Sequence, residues 1–93
     1  MVKLIFLGHL KNLIGTSIVE VEISSPLQLK MFLIHITKIY SALSRVIDSD
    51  GHVSAEVLLL INGIDVNVYE DPYNSVIVEN KDEITFVPIS HGG

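Results

Sequence analysis

Apolar residues in this chain recur at two different spacings, and the changes of spacing divide it into elements. Val2 to Leu7 is a short run of β-formers that ends at Gly8, and it predicts a strand buried on both faces. His9 to Ile14 suits one helical turn, which Gly15 stops. Ile18 to Ile23 then alternates: Val19, Val21 and Ile23 share one face, while Glu20 and Glu22 take the other. That is the pattern of a half-buried strand, and Glu20 and Glu22 read as a solvated face rather than an acid/base pair.

The period next changes to three and four. Leu29, Phe32, Leu33, Ile36, Tyr40 and Leu43 fall on one helical face, with Met31, Ile34 and Ile39 off it or at its edge. Ser25-Pro26-Leu27-Gln28 before them has the composition of a helix start. Ser25 would be the N-cap, Pro26 the first helical residue and Gln28 the partner in a capping box. The helix should fade near Ser41 to Ser44.

Asp48 to His52 is polar and predicts a loop. Val57 to Ile61 is uninterruptedly apolar, as in a central strand. Asn62-Gly63 behind it is a strong hairpin signal, because a type I′ turn needs positive φ at both central positions. Asp71 to Asn74 predicts a turn, and Val76 to Val78 a short strand or a helical turn. Lys81-Asp82 turns the chain into a last strand, Glu83 to Val87, where Pro88 should weaken pairing because it cannot donate to a ladder.

The order is strand, strand, helix and then further strands. It predicts an α+β domain over residues 1–88, a mixed sheet of four to five strands with one main helix across one face, and a tail over 89–93. The first and last strands should pair at the centre.

Composition narrows the partners. An apolar fraction of 48% in 93 residues leaves a small domain with apolar surface to spare for a partner. Phe6, Leu58 and Leu60 are the candidates for docking. Eleven acidic residues against six basic ones give a net charge of -5, which opposes nucleic-acid binding. The lack of cysteine excludes disulfides, zinc-thiolate sites and a cysteine nucleophile. His9, His35 and His52 have no metal-ligand spacing, and no metal site is expected. No apolar run reaches the length of a membrane span and no secretory pattern opens the chain, so the expected location is cytoplasmic.

Gly92-Gly93 adds nothing to a packed core. Two residues without Cβ atoms suit a chain end that threads a narrow active site, where the reactive group is the carboxylate of Gly93 itself. Gly92 then supplies clearance. His91 is assigned to tail recognition, since no acid or nucleophile adjoins it in sequence.

Several segments carry a resemblance. Phe6-Leu7-Gly8-His9-Leu10-Lys11-Asn12-Leu13-Ile14-Gly15, the apolar strand ending at Asn62-Gly63, Asp82-Glu83-Ile84 and the terminal Gly92-Gly93 resemble the ubiquitin-like sulfur carriers of β-grasp fold. Among these are the molybdopterin-synthase small subunit and, less closely, the thiamine-pathway carrier. The ending departs from the molybdopterin pattern: one proline, Pro88, is followed by Ile89-Ser90-His91-Gly92-Gly93, which is closer to the His-Gly-Gly ending of the ubiquitin-related modifier. Lys81 stands where these carriers usually have glycine.

The resemblance implies a co-substrate and not an independent enzyme. Since none of the chain's glycines has the spacing of a phosphate-binding loop, ATP and Mg²⁺ would be used by a partner, an adenylyltransferase resembling the ubiquitin-activating enzyme. Gly93 would be adenylated and converted to a thiocarboxylate. The sulfur would pass to an enzyme such as the molybdopterin-synthase large subunit or a tRNA thiolase. The alternative is a protein modifier joined through Gly93 to lysines of target proteins.

Overall fold

The computed structural model describes residues 1–89. Its main sheet has five strands in the order β2-β1-β7-β4-β5. These are β1 (Val2–Phe6), β2 (Ile18–Val21), β4 (Val57–Ile61), β5 (Ile64–Asp65) and β7 (Glu83–Pro88). A separate two-stranded sheet joins β3 (Leu27–Gln28) to β6 (Ile77–Val78). Helix α1 (Leu29–Ile39) covers one face of the main sheet, and a single turn, α2 (Pro72–Ser75), precedes β6. This is the expected α+β, ubiquitin-like β-grasp arrangement. As expected, β1 and β7 pair at the centre. They run parallel, with Leu4 opposite Ile84 and Phe6 opposite Phe86.

The strands are buried on one face only, which corrects the expectation of double burial for β1. Val2, Leu4 and Phe6 lie in the core, while Lys3 is exposed and Ile5 half-buried. Leu59, Ile84 and Phe86 join them from the neighbouring strands, and Leu29, Phe32, Leu33 and Ile36 of α1 close the layer. The reason is the layer count: α1 covers one face, so the other must hold residues that tolerate water. A buried apolar layer of this extent supplies the main driving force for folding.

Helix α1 starts later than its capping signature predicts. Leu27-Gln28 is drawn into an extended ladder with β6, and the Leu29 amide donates to the Val76 carbonyl at 2.8 Å. A backbone oxygen far along the chain thus satisfies the first free amide, so Ser25 and Pro26 lie outside the helix. The helix ends at Ile39, where Tyr40 leaves helical geometry at φ −121° and ψ 89°. A short 3₁₀ helix, Ser41–Arg45, carries Leu43 back into the core and so continues the apolar stripe across the break.

The turns follow local chemistry. Asn62 and Gly63 have φ of 51° and 82° between β4 and β5, as the hairpin signal requires. Lys81 also has a left-handed φ, 84°. That conformation explains why glycine suits this place.

Candidate functional site

The chain leaves the sheet at the C-terminal end of its central strand. Pro88 stays in the ladder opposite Val57, and the next amide, Ile89, donates to the Glu56 carbonyl at 2.8 Å. Pairing therefore does not weaken at Pro88 as its missing donor suggests. Proline lacks only its own N–H, and the donor that matters here belongs to Ile89. On the β1 side the Leu7 amide donates to the Phe86 carbonyl at 3.0 Å. The chain then turns at Gly8, with φ +54°, where an added Cβ would lie 3.0 Å from Cγ of Pro88. The exit is thus braced from both neighbours. Below it, the rings of Phe6 and Phe86 stack with centroids 4.8 Å apart and planes 15° from parallel.

The uncovered sheet face beside this exit is apolar. Cross-strand registry forms a row of Ile18, Ile5, Thr85 and Leu60, and sets Leu58 against Val87 just before Pro88. Ile5, Leu58, Leu60 and Val87 are half-buried, and Ile18 is exposed. Leu7 adds a further exposed side chain where β1 ends. The opposite end of the same face is charged: Lys3 lies between Glu20 and Glu83. Apolar contact surface is therefore concentrated at the end where the chain departs.

Leu58 and Leu60 lie on this open face, as their candidacy for docking needs. Phe6 does not. It is 1% exposed and belongs to the core, because it shares the alternation of Val2 and Leu4, and so it is withdrawn as a docking residue. Ile5, Ile18 and Val87 were missing from the expected surface. Ile18 shares the alternation of Glu20 and Glu22 and could have been read from it, whereas only cross-strand registry places Ile5 and Val87 beside Leu58 and Leu60. Gly93, Gly92 and His91 lie outside the described residues.

Other chemistry is sparse. Among the described residues no group of histidines and carboxylates could hold a metal ion, and no buried side-chain polar atom lacks a hydrogen-bond partner. Asp48 is a perturbed carboxyl, which accepts amide hydrogen bonds from His52 at 3.0 Å and Asp50 at 2.9 Å. The His52 amide is the largest influence holding it below the usual aspartate value. Asp48 is exposed and shapes its own loop, far in sequence from the chain exit. Among the described residues no helix is long and apolar enough to cross a membrane.

Comparison with known proteins agrees with the fold. The structure is similar to the archaeal modifier SAMP1 from Haloferax volcanii, with a TM-score of 0.74, 22% identity, and coverage of 99% of this chain and 98% of that one. Urm1 of Sulfolobus solfataricus gives a TM-score of 0.65 at 23% identity, covering 94% and 99%. A chain of the BexX/CysO complex from Amycolatopsis orientalis gives 0.74 at 16% identity, covering both chains fully (100% and 100%). No curated protein sequence matches significantly. The sequence profile of the ubiquitin related modifier, Urm1, matches residues 1–93, the whole chain. On that match, joined to a β-grasp sheet whose central strand leads to Gly92-Gly93, the chain belongs to the ubiquitin-related modifier family of small ubiquitin-like sulfur carriers and modifiers.

Proposed function

We propose that the chain is a sulfur carrier whose working group is the carboxylate of Gly93. The observation that carries this reading is the exit of a central, braced strand towards a terminal Gly-Gly, beside an apolar open face. Family membership supports it. The domain is a rigid body that a partner grips while the chain end enters that partner's active site.

The chemistry follows from the leaving group. A carboxylate does not transfer its acyl group, because oxide does not leave. Attack of the Gly93 carboxylate on the α-phosphate of ATP, held with Mg²⁺ by an adenylyltransferase, releases pyrophosphate and forms an acyl-adenylate. The outer sulfur of a persulfide then attacks the acyl carbon and AMP leaves. The bond formed is carbon–sulfur. A second thiol then attacks the inner sulfur of the persulfide's own sulfur–sulfur bond, giving a disulfide on the partner and a Gly93 thiocarboxylate. That sulfur serves a molybdopterin-synthase large subunit, with this chain as the small subunit, or a tRNA thiolase. Leu58 and Leu60 dock the partner, and Gly92 and His91 guide the chain end. A similar chain in the BexX/CysO complex supports action through a partner.

Intact-mass measurement of protein from its native host tests this directly. The expected result is a species heavier by the exchange of one oxygen for one sulfur at Gly93. Extending the chain by one residue should abolish its formation. A fully active extended variant would overturn the reading. The modifier function rests on the same carboxylate, with a lysine amine attacking the activated acyl carbon instead. Host lysines bearing the C-terminal remnant would establish it.

A further inference from the structure

We infer that the groove between β5 and β6 binds a cationic segment of a partner protein, with a lysine or arginine stem on its apolar floor and the charge at Glu79 and Asp82. The cavity has a volume of about 330 Å³, and Ile61, Ile64, Tyr69, Ile77, Glu79 and Asp82 line it. Ile64, Tyr69 and Ile77 are 47%, 42% and 48% exposed, so large apolar side chains face water around a concave site.

Charge complementarity selects the occupant. Asp82 is fixed: Oδ1 accepts from Asn62 Nδ2 at 3.0 Å and Oδ2 from the Glu79 amide at 2.7 Å. Glu79 is exposed beside it. No lysine or arginine lines the cavity. Lys81, in the adjoining turn, makes no ion pair with either carboxylate. A neutral apolar ligand would strip water from the two carboxylates without replacing it. Nucleic acid would meet repulsion there. A lysine or arginine satisfies both halves of the site, because its methylene stem covers isoleucine and its charge can lie over the Tyr69 ring or against the carboxylates.

The position adds a consequence. The groove adjoins the start of β7, whereas the chain departs at its end, a strand length of roughly 20 Å away. A partner held here leaves both the chain exit and the open sheet face accessible. The inference does not depend on sulfur chemistry at Gly93.

The test is a titration of the ¹⁵N-labelled full chain with acetylated, amidated leucyl-lysyl-leucine, followed by amide shifts. Its norleucine and glutamate analogues keep the stem or reverse the charge. Expected are saturable shifts confined to residues 61–64, 69 and 75–82, with the lysine peptide binding about fivefold tighter than the norleucine one and the glutamate one weakest. Glu79→Gln should weaken the lysine peptide about threefold and leave the norleucine peptide unchanged. Ile77→Thr, which keeps a strand former, should weaken both. If that variant unfolds, the exposed Glu79 supplies the deciding comparison alone. Three results would overturn the proposal: no shifts at saturating peptide, equal binding of all three peptides, or shifts centred on Ile5, Leu58 and Leu60.

Discussion

Gly8 faces the ring of Pro88 so closely that a methyl group built on its Cα would lie 3.0 Å from Cγ. The contact joins the end of the first strand to the end of the last. It comes one residue before Ile89, whose amide donates to the Glu56 carbonyl. Two demands therefore meet at Gly8, a left-handed backbone at φ +54° and the absence of a side chain.

Gly8→Ala should cost about 1–2 kcal/mol of stability in urea unfolding, chiefly from the backbone conformation. Its specific signature is local. The Ile89 amide should exchange faster with solvent relative to amides in β1, as Pro88 is pushed from its seat. Unchanged Ile89 protection would show that Gly8 serves only the turn.

Lys81→Gly should raise stability by about 1 kcal/mol, since φ of 84° strains any residue with a Cβ. The gain is reduced by the freedom glycine adds to the unfolded chain. Thermal unfolding checks it. A loss of stability would mean that the Lys81 side chain contributes more than its backbone costs.

Phe6→Ala and Leu58→Asp separate core from surface. Phe6 stacks on Phe86 inside the core, so its truncation should cost about 3–5 kcal/mol. Leu58 lies half-buried on the open face, and its change to aspartate should cost about 1 kcal/mol. On the proposed function, Leu58→Asp should nevertheless lower kcat/KM for activation at Gly93 about tenfold or more, with Leu60→Asp acting likewise. Steady-state kinetics with the cognate activating enzyme would decide it.

Acid should remove the small contribution of Asp48. Its folded value is depressed, first by the His52 amide and further by the Asp50 amide and the His52 charge. A depressed value stabilises above the unfolded aspartate pKa, and this is lost as pH falls through the folded one. The difference in Tm between the native chain and Asp48→Asn should therefore be present at neutral pH and vanish on strong acidification. It should also be small, because the group is exposed and screened by salt.

Where one local signal decides a structure, the sequence was legible. Asn62-Gly63 needs nothing beyond its own two residues to make the β4–β5 hairpin. The stripe from Leu29 to Ile36 likewise marks its helix face. The start of α1 was not legible, because the Leu29 amide is satisfied by Val76, and no pattern at residues 25–28 announces a partner so distant. The open face was half legible for a related reason. Val57 to Ile61 is apolar throughout, so its alternation is set by pairing with β7 rather than by composition. The groove between β5 and β6 gathers residues from three separate stretches and leaves no sequence signal of its own. The terminal glycines are the converse case, since the role proposed for them is chemical and is read from the sequence alone.

The parallel pairing of β1 and β7 also has a mechanical meaning. On the proposed function, an enzyme that draws the chain end into its active site would pull on β7 along the strand axis. The hydrogen bonds to β1 on one side and β4 on the other then bear that load in shear, sharing it rather than opening one after another as in a peeled hairpin. Force applied at that end would thus be shared by both neighbouring strands, and on this reading the domain serves as a handle.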